Sequence, residues 1–312
     1  MIQPNKLTYD KVAVIKDTFD SYHIQMADRW RRQKELSITS LPDLDNLIWG
    51  FQRRKMVVFG ARPSNGKSIA LLQVGWDLAM AGKKVYFLTF EMTKEDCIER
   101  LYSNRCKIDN FSLLTGKAGQ IEEISKHQEA LHTFIQEMHT VDAKFVLIEN
   151  FGRTYKEVVE LIDTFSTPDV IIIDYVNMIR QDKHSKKESV DEYIKELYAM
   201  AKTKNFCLIM GAQINRETHK NKDGAIRPPE MWQLKDSGSV EEISDTVILT
   251  HWQWFYDRED LLIKNKYLMR VVKNRGGRTG DIEMMIFPEF YKLQCIPKAD
   301  DFRVEKQINK DQ

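Results

Sequence analysis

The segment Met56–Ser68, MVVFGARPSNGKS, constrains the fold of this chain more than any other stretch. It begins as an apolar run typical of a buried strand and continues as a loop that ends in Gly-Lys-Ser. The helical pattern IALLQVGWDLAM follows directly. In a strand–loop–helix unit of this kind, backbone N–H groups of the loop and of the first helical turn face bound phosphates. The segment therefore predicts an α/β domain that binds a nucleotide.

Individual residues of this loop have distinct predicted roles. Gly66 allows close approach of the backbone, Lys67 reaches the β- and γ-phosphates of ATP, and the Ser68 hydroxyl binds Mg²⁺. Ala61 stands where the usual pattern GxxxxGK[ST] has its first glycine, a departure of one methyl group. The predicted nucleotide-binding residues are Ala61, Arg62, Pro63, Ser64, Asn65, Gly66, Lys67 and Ser68.

Two carboxylates further along the chain are candidates for the rest of this site. Asp174 ends the apolar run Val170–Asp174, where it is predicted to hold Mg²⁺ or its water shell. Glu91 follows the run Val85–Phe90, at the edge where parallel sheets place their ligands. It is a candidate general base for the attacking water. Its position alone fits equally well a solvated glutamate at the start of a helix.

Short β-rich runs alternate with helical stretches along most of the chain, and a turn-rich LPDLDN precedes the first run. Such alternation predicts an α/β fold with a mostly parallel central sheet flanked by helices, followed by C-terminal β-hairpins. The predicted strands are Met56–Phe59, Val85–Phe90, Phe145–Ile148, Val170–Asp174, Phe206–Gly211, Thr246–Thr250 and Leu268–Lys273, with hairpins over Leu268–Asn274, Asp281–Phe287 and Phe290–Cys295. The predicted helices lie near 68–81, 93–104, 120–138, 154–165, 188–203 and 239–244.

Composition excludes several classes of protein. The 312 residues are 42% hydrophobic and 30% charged, which is ordinary for a globular protein and argues against disorder. The sequence has no apolar run near the roughly 18–20 residues of a membrane span and no apolar signal segment at its start. The protein is therefore expected to stay in the compartment where it is made, the cytoplasm. The four cysteines form no CxxC pair, which argues against a zinc module, and the net charge of +1 requires any nucleic-acid contact to be local.

The chain divides into three predicted parts. Residues 1–36 form an arm, 37–300 the nucleotide-binding domain, and 301–312 a charged tail. Within the arm, apolar residues recur at spacings of three and four over 7–31, which predicts an amphipathic helix. The pattern fits a helix packed on its own domain as well as one packed on a neighbouring subunit.

Six segments of the chain together resemble one protein family. In order they are ARPSNGKS, FLTFEM, VIIIDYVNMI, GAQINRE, LKDSGSVEEISDTVI and VVKNRGGRTG. This order and spacing is similar to the C-terminal motor domain of bacterial and phage DnaB-type replicative helicases, from about residue 41 to 287. The resemblance implies a RecA-like P-loop NTPase fold and an ATP-hydrolysing helicase that encircles single-stranded DNA as a hexameric ring.

The resemblance also implies roles for particular residues. Glu91 is then the catalytic glutamate, and Gln213 is the polar sensor that links the nucleotide to the DNA loops. Lys273 and Arg275 match positions that such motors insert into the neighbouring subunit's site, where a guanidinium stabilises charge on the γ-phosphate. The N-terminal arm corresponds to the family's linker helix. Helicase loader and primase are the partners expected from the resemblance.

Two stretches with local positive charge, Gln181–Lys187 and Arg216–Arg227, follow strands at the carboxyl side of the sheet and are candidates for DNA contact, although such charge runs in loops are usually only solvated. The run Gln181–Lys187 contributes three basic residues, Lys183, Lys186 and Lys187, suited to phosphates. The segment LKDSG resembles the loop with which the family grips the single-strand backbone. Its predicted contacts are Lys235, Asp236 and Gly238. The family more often has arginine at the first of these positions, and lysine lacks the bidentate phosphate fork of arginine.

Two other functions share the nucleotide site. A RadA-type recombination ATPase has the same loop and carboxylates, although LKDSGSVEEISD and KNRGGRTG fit the helicase better. An ATP-switched loader binds DNA without processive unwinding. About 40 residues precede the motor, too few for the helical N-terminal domain usual in the family, so a phage or mobile-element form without that domain is expected.

Overall fold

The computed structural model describes residues 39–115, 121–175, 186–214, 226–234 and 238–297. The predicted N-terminal arm and the charged tail lie outside these residues, and so do Lys183, Lys235 and Asp236. In the part of the chain that is described, no helix is long and apolar enough to cross a membrane.

A nine-stranded sheet runs through the described part of the chain in the order β3-β2-β4-β5-β1-β6-β7-β8-β9. The first six strands in this order are parallel, and β7, β8 and β9 continue the sheet antiparallel. This confirms the predicted α/β class, the mostly parallel sheet and the C-terminal hairpins. The strands are β1 (Met56–Ala61), β2 (Val85–Thr89), β3 (Phe145–Glu149), β4 (Val170–Asp174), β5 (Cys207–Gln213), β6 (Thr246–His251), β7 (Lys266–Asn274), β8 (Gly280–Phe287) and β9 (Lys292–Cys295).

Helices cover both faces of the sheet. Their bounds are α1 (Pro42–Ile48), α2 (Lys67–Met80), α3 (Lys94–Cys106), α4 (Asn110–Thr115), α5 (Ile121–Val141), α6 (Tyr155–Asp163), α7 (Lys186–Thr203) and α8 (Gly238–Ile243). The interpretation of LPDLDN as a turn is wrong, because α1 begins there. Pro42 occupies the first helical turn, where its missing N–H costs nothing, and Asp43 and Asp45 complement the positive end of the helix dipole.

The central strands are buried because each face carries its own apolar cluster. In β4, Val170 and Ile172 belong to one cluster, whereas Ile171 and Ile173 belong to the other. Successive side chains of a strand point to opposite faces, so a continuous apolar run is what a sheet covered on both sides requires. The strand order then decides what meets at the carboxyl edge.

Strand β5 lies between the strand that leads into the P-loop, β1, and the strand that ends in Asp174, β4. Ala61 pairs with Gln213 across the β1–β5 ladder, and Thr89 of β2 pairs with Asp174. Parallel strands present their carboxyl ends at one edge, which is where open α/β sheets bind ligands. The topology therefore gathers the predicted P-loop, Asp174, Gln213 and Glu91 at one edge.

A buried polar network fixes the start of the described chain to α2. Asp77 accepts hydrogen bonds from the backbone N–H of Ser40 (2.8 Å) and from its hydroxyl (2.6 Å). The Gln73 side-chain amide donates to the Ser40 Oγ at 2.7 Å and to the carbonyl of Leu293 in β9 at 2.8 Å, and its oxygen accepts from the Leu293 N–H at 2.9 Å. Asp45, only 4% exposed, accepts from the backbone N–H of Thr39 at 2.8 Å. Burial raises the pKa of the Asp45 carboxyl to about 6.

Replacing Asp45 with asparagine is expected to stabilise the protein above pH 6 and to have little effect near pH 4. The carboxyl has a folded pKa of about 6 against 3.8 in the unfolded chain, so its buried charge costs most above pH 6. That cost is relieved as the pH falls towards 3.8, because the folded protein then binds the proton. The expected gain in unfolding free energy at neutral pH is about 3 kcal/mol, since each pKa unit is worth about 1.4 kcal/mol. Urea unfolding of both proteins near pH 4 and at neutral pH measures this gain. The same change in unfolding free energy at both pH values would contradict the prediction.

Candidate nucleotide site at the carboxyl edge of the sheet

The phosphate loop has the backbone shape that its sequence predicts. Gly66 adopts φ +76° as the residue that precedes α2, and Ser64 adopts φ +61°. A Cβ atom on Gly66 would lie 2.7 Å from the Tyr267 hydroxyl oxygen and 3.2 Å from its ring. Gly66 is thus required both by the left-handed conformation and by close packing against β7.

Asn65 ties this loop to the neighbouring strands and is 1% exposed. Its side-chain oxygen accepts from the backbone N–H of Trp252 (3.0 Å), and its side-chain nitrogen donates to the hydroxyl of Tyr256 (3.1 Å). Its backbone carbonyl accepts from the hydroxyls of Thr250 (2.9 Å) and Tyr267 (2.8 Å). Because this carbonyl is bound on the strand side, it is held away from the face where phosphates would lie.

Replacing Gly66 with alanine is expected to weaken ATP binding about tenfold or more and to lower the unfolding free energy by about 2 kcal/mol or more. The left-handed backbone costs an L-residue about 1–2 kcal/mol, and displacement of Tyr267 adds to that. Gly152→Ala is the matched control, because Gly152 has φ +71° and an added Cβ would meet nothing within 4 Å. Binding of a fluorescent ATP analogue and thermal unfolding of both variants measure the difference. Equal effects in the two variants would contradict the packing argument.

Lys67 and Asp174 form an ion pair in the site. The Lys67 Nζ lies 2.6 Å from Asp174 Oδ1, and the two side chains are 12% and 1% exposed. Burial lowers the pKa of the Lys67 ammonium, although the charges of Asp174 and Glu91 act in the opposite direction. The ammonium also lies 3.6 Å from the ring centroid of Tyr175, a cation–π contact. The charge of Lys67 is therefore balanced by the carboxylate at the end of β4.

The residues beside this ion pair suit a magnesium ion. Asp174 Oδ2 is buried and has no hydrogen-bond partner among the described residues. A buried carboxylate oxygen of this kind calls for a cation or a water, and Mg²⁺ prefers oxygen ligands. Ser68 contributes a hydroxyl from the first turn of α2, directly after Lys67. Asp174 and Ser68 fit the ligand positions that the sequence predicts.

A cavity of about 600 Å³ opens between the phosphate loop and the neighbouring strand ends. All eight predicted nucleotide-binding residues line it, together with Glu91 and Gln213. Gln213 is the last residue of β5, which extends two residues beyond the predicted strand Phe206–Gly211. Strand β2 ends at Thr89, so Glu91 follows it by two residues, and it is exposed to the cavity. The structure thus brings the loop, Lys67, Glu91 and Gln213 together around one space.

Several cavity residues were not predicted from the sequence. Tyr175 follows Asp174 directly, and its pKa is raised by burial and by the charges of Glu91 and Asp174. Arg100 projects from α3 and lies 5.0 Å from the ring centroid of Tyr291, the residue just before β9. Trp252 lines the cavity from the segment after β6. The sequence offered a signal only for Tyr175, through its place next to the predicted carboxylate.

Lys273 and Arg275 lie at the amino end of the parallel strands, the end of the sheet opposite to the phosphate loop. Val57 and Ala61 of β1 pair with Thr246 and Thr250 of β6, and Thr246 pairs with Asn274 at the end of β7. The two basic residues are thus displaced from the P-loop by about four residues, or roughly 13 Å along the strands. Neither Lys273 nor Arg275 is among the described residues that line the cavity.

Both basic side chains contact the end of α8. The Lys273 ammonium donates to the carbonyl oxygens of Glu241 and Glu242, and the Arg275 guanidinium donates to that of Glu242. Cations at the carboxyl end of a helix are favourable, because unpaired carbonyls and the helix dipole make that end negative. Burial and the charge of Arg275 lower the pKa of Lys273.

The predicted DNA contacts are only partly covered by the described residues. Lys186 and Lys187 begin α7, and Gly238 begins α8. Lys183, Lys235 and Asp236 lie outside the described residues, so these three remain predictions. Leu234, immediately before the predicted contact loop, forms a β-bridge with Ile214, which follows Gln213.

Comparison with known proteins identifies the family. Residues 38–294 match the family model of the DnaB-like helicase C terminal domain. The replicative DNA helicase DnaB of Geobacillus stearothermophilus is 23% identical over 270 residues, which are 84% of this chain and 57% of that protein. The chain therefore spans less than two thirds of the length of that helicase.

Two solved structures share the fold. One, described as an ATPase domain, has a TM-score of 0.76 at 20% identity, and the match covers 89% of this chain and 99% of that one. The other is a DnaB-like replicative helicase, studied for its interactions with primase. It has a TM-score of 0.72 at 20% identity, and the match covers 83% of this chain and 63% of that one. With the family match over most of its length, this chain belongs to the DnaB-like helicase C-terminal domain family.

Proposed function

We propose that the chain is the motor of an ATP-driven DNA helicase that assembles as a ring, encircles one DNA strand and translocates along it during replication. Membership of the DnaB-like family and the replicative helicases among its relatives support this function. A hexamer, and partnership with a primase and a helicase loader, are part of the proposal. The solved DnaB-like helicase described with primase supports the primase partner.

The observation that carries the proposal is that the nucleotide-site residues and Arg275 lie at opposite ends of the parallel strands. Lys67, Asp174, Glu91 and Gln213 lie at the carboxyl edge of the sheet, whereas Arg275 lies at the other edge. If Arg275 completes a nucleotide site, that site must belong to another copy of the chain. Closed rings of identical subunits satisfy this requirement at every interface. Lys273, two residues earlier on β7, would act with Arg275.

The residues of one copy have separable tasks in this proposal. Lys67 leaves Asp174 and binds the β- and γ-phosphates when ATP enters. That exchange frees Asp174 Oδ1. The Asp174 carboxylate and the Ser68 hydroxyl would hold Mg²⁺, which would supply positive charge to the phosphates. Glu91 accepts the proton of the attacking water.

A short connection leads from the nucleotide to the predicted DNA loop. Gln213 lines the cavity, and Ile214 next to it is bridged to Leu234. In the phosphate loop, the Arg62 guanidinium donates to the carbonyl of Arg227 at 3.0 Å. Loss of the γ-phosphate would be communicated through these contacts to the segment that precedes the predicted contacts Lys235, Asp236 and Gly238.

The decisive experiment is ATP-dependent unwinding of a forked DNA duplex by the purified chain. Lys67→Ala removes the phosphate ligand and should abolish unwinding, whereas Lys94→Ala, an exposed lysine on α3, should leave it unchanged. DNA-stimulated ATP hydrolysis with no strand displacement would instead favour the ATP-switched loader. Strand exchange between homologous duplexes without unwinding would favour a recombination ATPase.

A further inference from the structure

Trp232 exposes 58% of its surface although it belongs to a rigid turn. It lies in the one-turn helix Met231–Gln233, where Glu230 N–H donates to Gln233 Oε1 at 2.9 Å and Gln233 N–H donates to the Glu230 carbonyl at 3.0 Å. Gln233 is 2% exposed, so the turn is anchored in the protein. The Trp232 indole N–H donates to Glu230 Oε2 at 2.9 Å, which fixes the edge of the ring. The ring is therefore held on the surface rather than packed into the core.

The segment 226–234, which carries this ring, is attached to the nucleotide site at both ends. Near its start, the carbonyl of Arg227 accepts from Arg62 of the phosphate loop. At its end, Leu234 is 7% exposed and forms a β-bridge with Ile214, next to Gln213. A change in the phosphate loop or in Gln213 is thus transmitted to the turn that carries Trp232.

We propose that Trp232 is a stacking platform for a base of the bound single strand, at the carboxyl edge of the sheet. The inference rests on the proposed function, because it takes single-stranded DNA as the ligand. Bases of single-stranded DNA are not held in base pairs. Each of the four bases has a flat face that can stack on an exposed indole ring. The predicted contacts that follow, Lys235, Asp236 and Gly238, are expected to face phosphates, so Trp232 would add a contact to the bases.

The neighbourhood of Trp232 favours nucleic acid over a protein partner. The ring lies three residues before Lys235, and Arg227 of the same segment is also basic. A protein docking surface is built from several exposed apolar side chains, whereas Met231 packs against the core and Leu234 is buried. An exposed aromatic ring whose edge is fixed, here by the Glu230 carboxylate, is a contact of the kind that sequence-tolerant single-strand binding uses.

The test compares a dT oligonucleotide with an abasic strand of the same length, using fluorescence anisotropy and a non-hydrolysable ATP analogue. Wild type should bind the dT strand more tightly than the abasic strand. Trp232→Ala should weaken dT binding about 5- to 100-fold and leave abasic binding unchanged. Trp232→Phe should restore most of the affinity. Trp49→Ala, which removes an exposed tryptophan at the opposite edge of the sheet, should change neither.

Salt dependence provides a second readout. Because stacking releases no counterions, Trp232→Ala should leave the slope of log affinity against log salt unchanged, whereas Lys235→Ala should reduce that slope by about one. Equal loss on both strands, or no loss on dT, would overturn the inference. A smaller oligomer for Trp232→Ala in sedimentation would assign the ring to a subunit contact instead. Wild type that binds neither strand would refute the proposed function itself, whereas wild type that binds both equally would refute only the stacking role.

Discussion

Arg275→Ala is expected to lower the kcat of DNA-stimulated ATP hydrolysis by about 10³- to 10⁵-fold, the range seen when a cation supplied to the γ-phosphate is removed. ATP affinity should change little, because the phosphate loop of the neighbouring copy binds the nucleotide. Arg278→Ala is the matched control, since Arg278 is an exposed arginine in the same turn between β7 and β8. Steady-state hydrolysis and equilibrium binding of an ATP analogue measure the two quantities. A proportional loss of affinity would place Arg275 in ground-state binding.

Mixing two inactive variants tests whether Arg275 acts between copies. Lys67→Ala lacks the phosphate ligand and Arg275→Ala lacks the finger, so each alone should be inactive. When the two variants are mixed in equal amounts, about a quarter of the interfaces in the rings join an intact Lys67 to an intact Arg275. Hydrolysis should reappear at those interfaces. Pre-formed rings that do not exchange subunits provide the control. No recovery after verified exchange would show that Arg275 acts within its own chain.

The strands and the phosphate loop could be predicted because their signals are local. Val170–Asp174 is an apolar run with a carboxylate at its end, which matches a strand buried on both faces. The place of Gly66 before Lys67 predicts a position where glycine is needed, and its φ of +76° lies in the left-handed region that favours glycine. The convergence of β2, β4, β5 and β1 at one edge follows from the rule for parallel sheets, so Asp174 and Gln213 could be expected near the loop.

Contacts between distant parts of the chain could not be predicted in the same way. Arg100 and Tyr291 are 191 positions apart, and no local pattern indicates that α3 and the residue before β9 share a cavity. The contact of Lys273 with α8 depends on the register of β7 against β6, which includes a bulge between Val247 and Ile248. The α1 helix was missed for a different reason. Proline and aspartate favour turns as well as the first helical turn, and packing of Leu44 and Ile48 decides between them.

The sequence position of Glu91 fits both a general base and a solvated glutamate. Glu91 follows β2 at the carboxyl edge, lines the cavity beside the phosphate loop, and its charge acts on Lys67 and Tyr175. Asp174, by contrast, is buried, and its Oδ1 is bound to Lys67. Of these two carboxylates, only Glu91 is exposed to the cavity, where a water could reach it. That division of burial favours Asp174 as the metal ligand and Glu91 as the base.

Glu91→Gln is therefore expected to lower kcat for ATP hydrolysis by about 10²- to 10⁴-fold while leaving ATP affinity close to that of wild type. Glutamine keeps the size and the hydrogen-bonding capacity of the side chain but cannot accept the proton of the attacking water. Glu95→Gln, an exposed position on α3 with only a surface ion pair to Lys94, is the matched control and should hydrolyse ATP normally. Single-turnover hydrolysis in excess protein isolates the chemical step from product release. Unchanged single-turnover rates in Glu91→Gln would exclude a proton-accepting role, and the interpretation of Glu91 as a solvated glutamate would then stand.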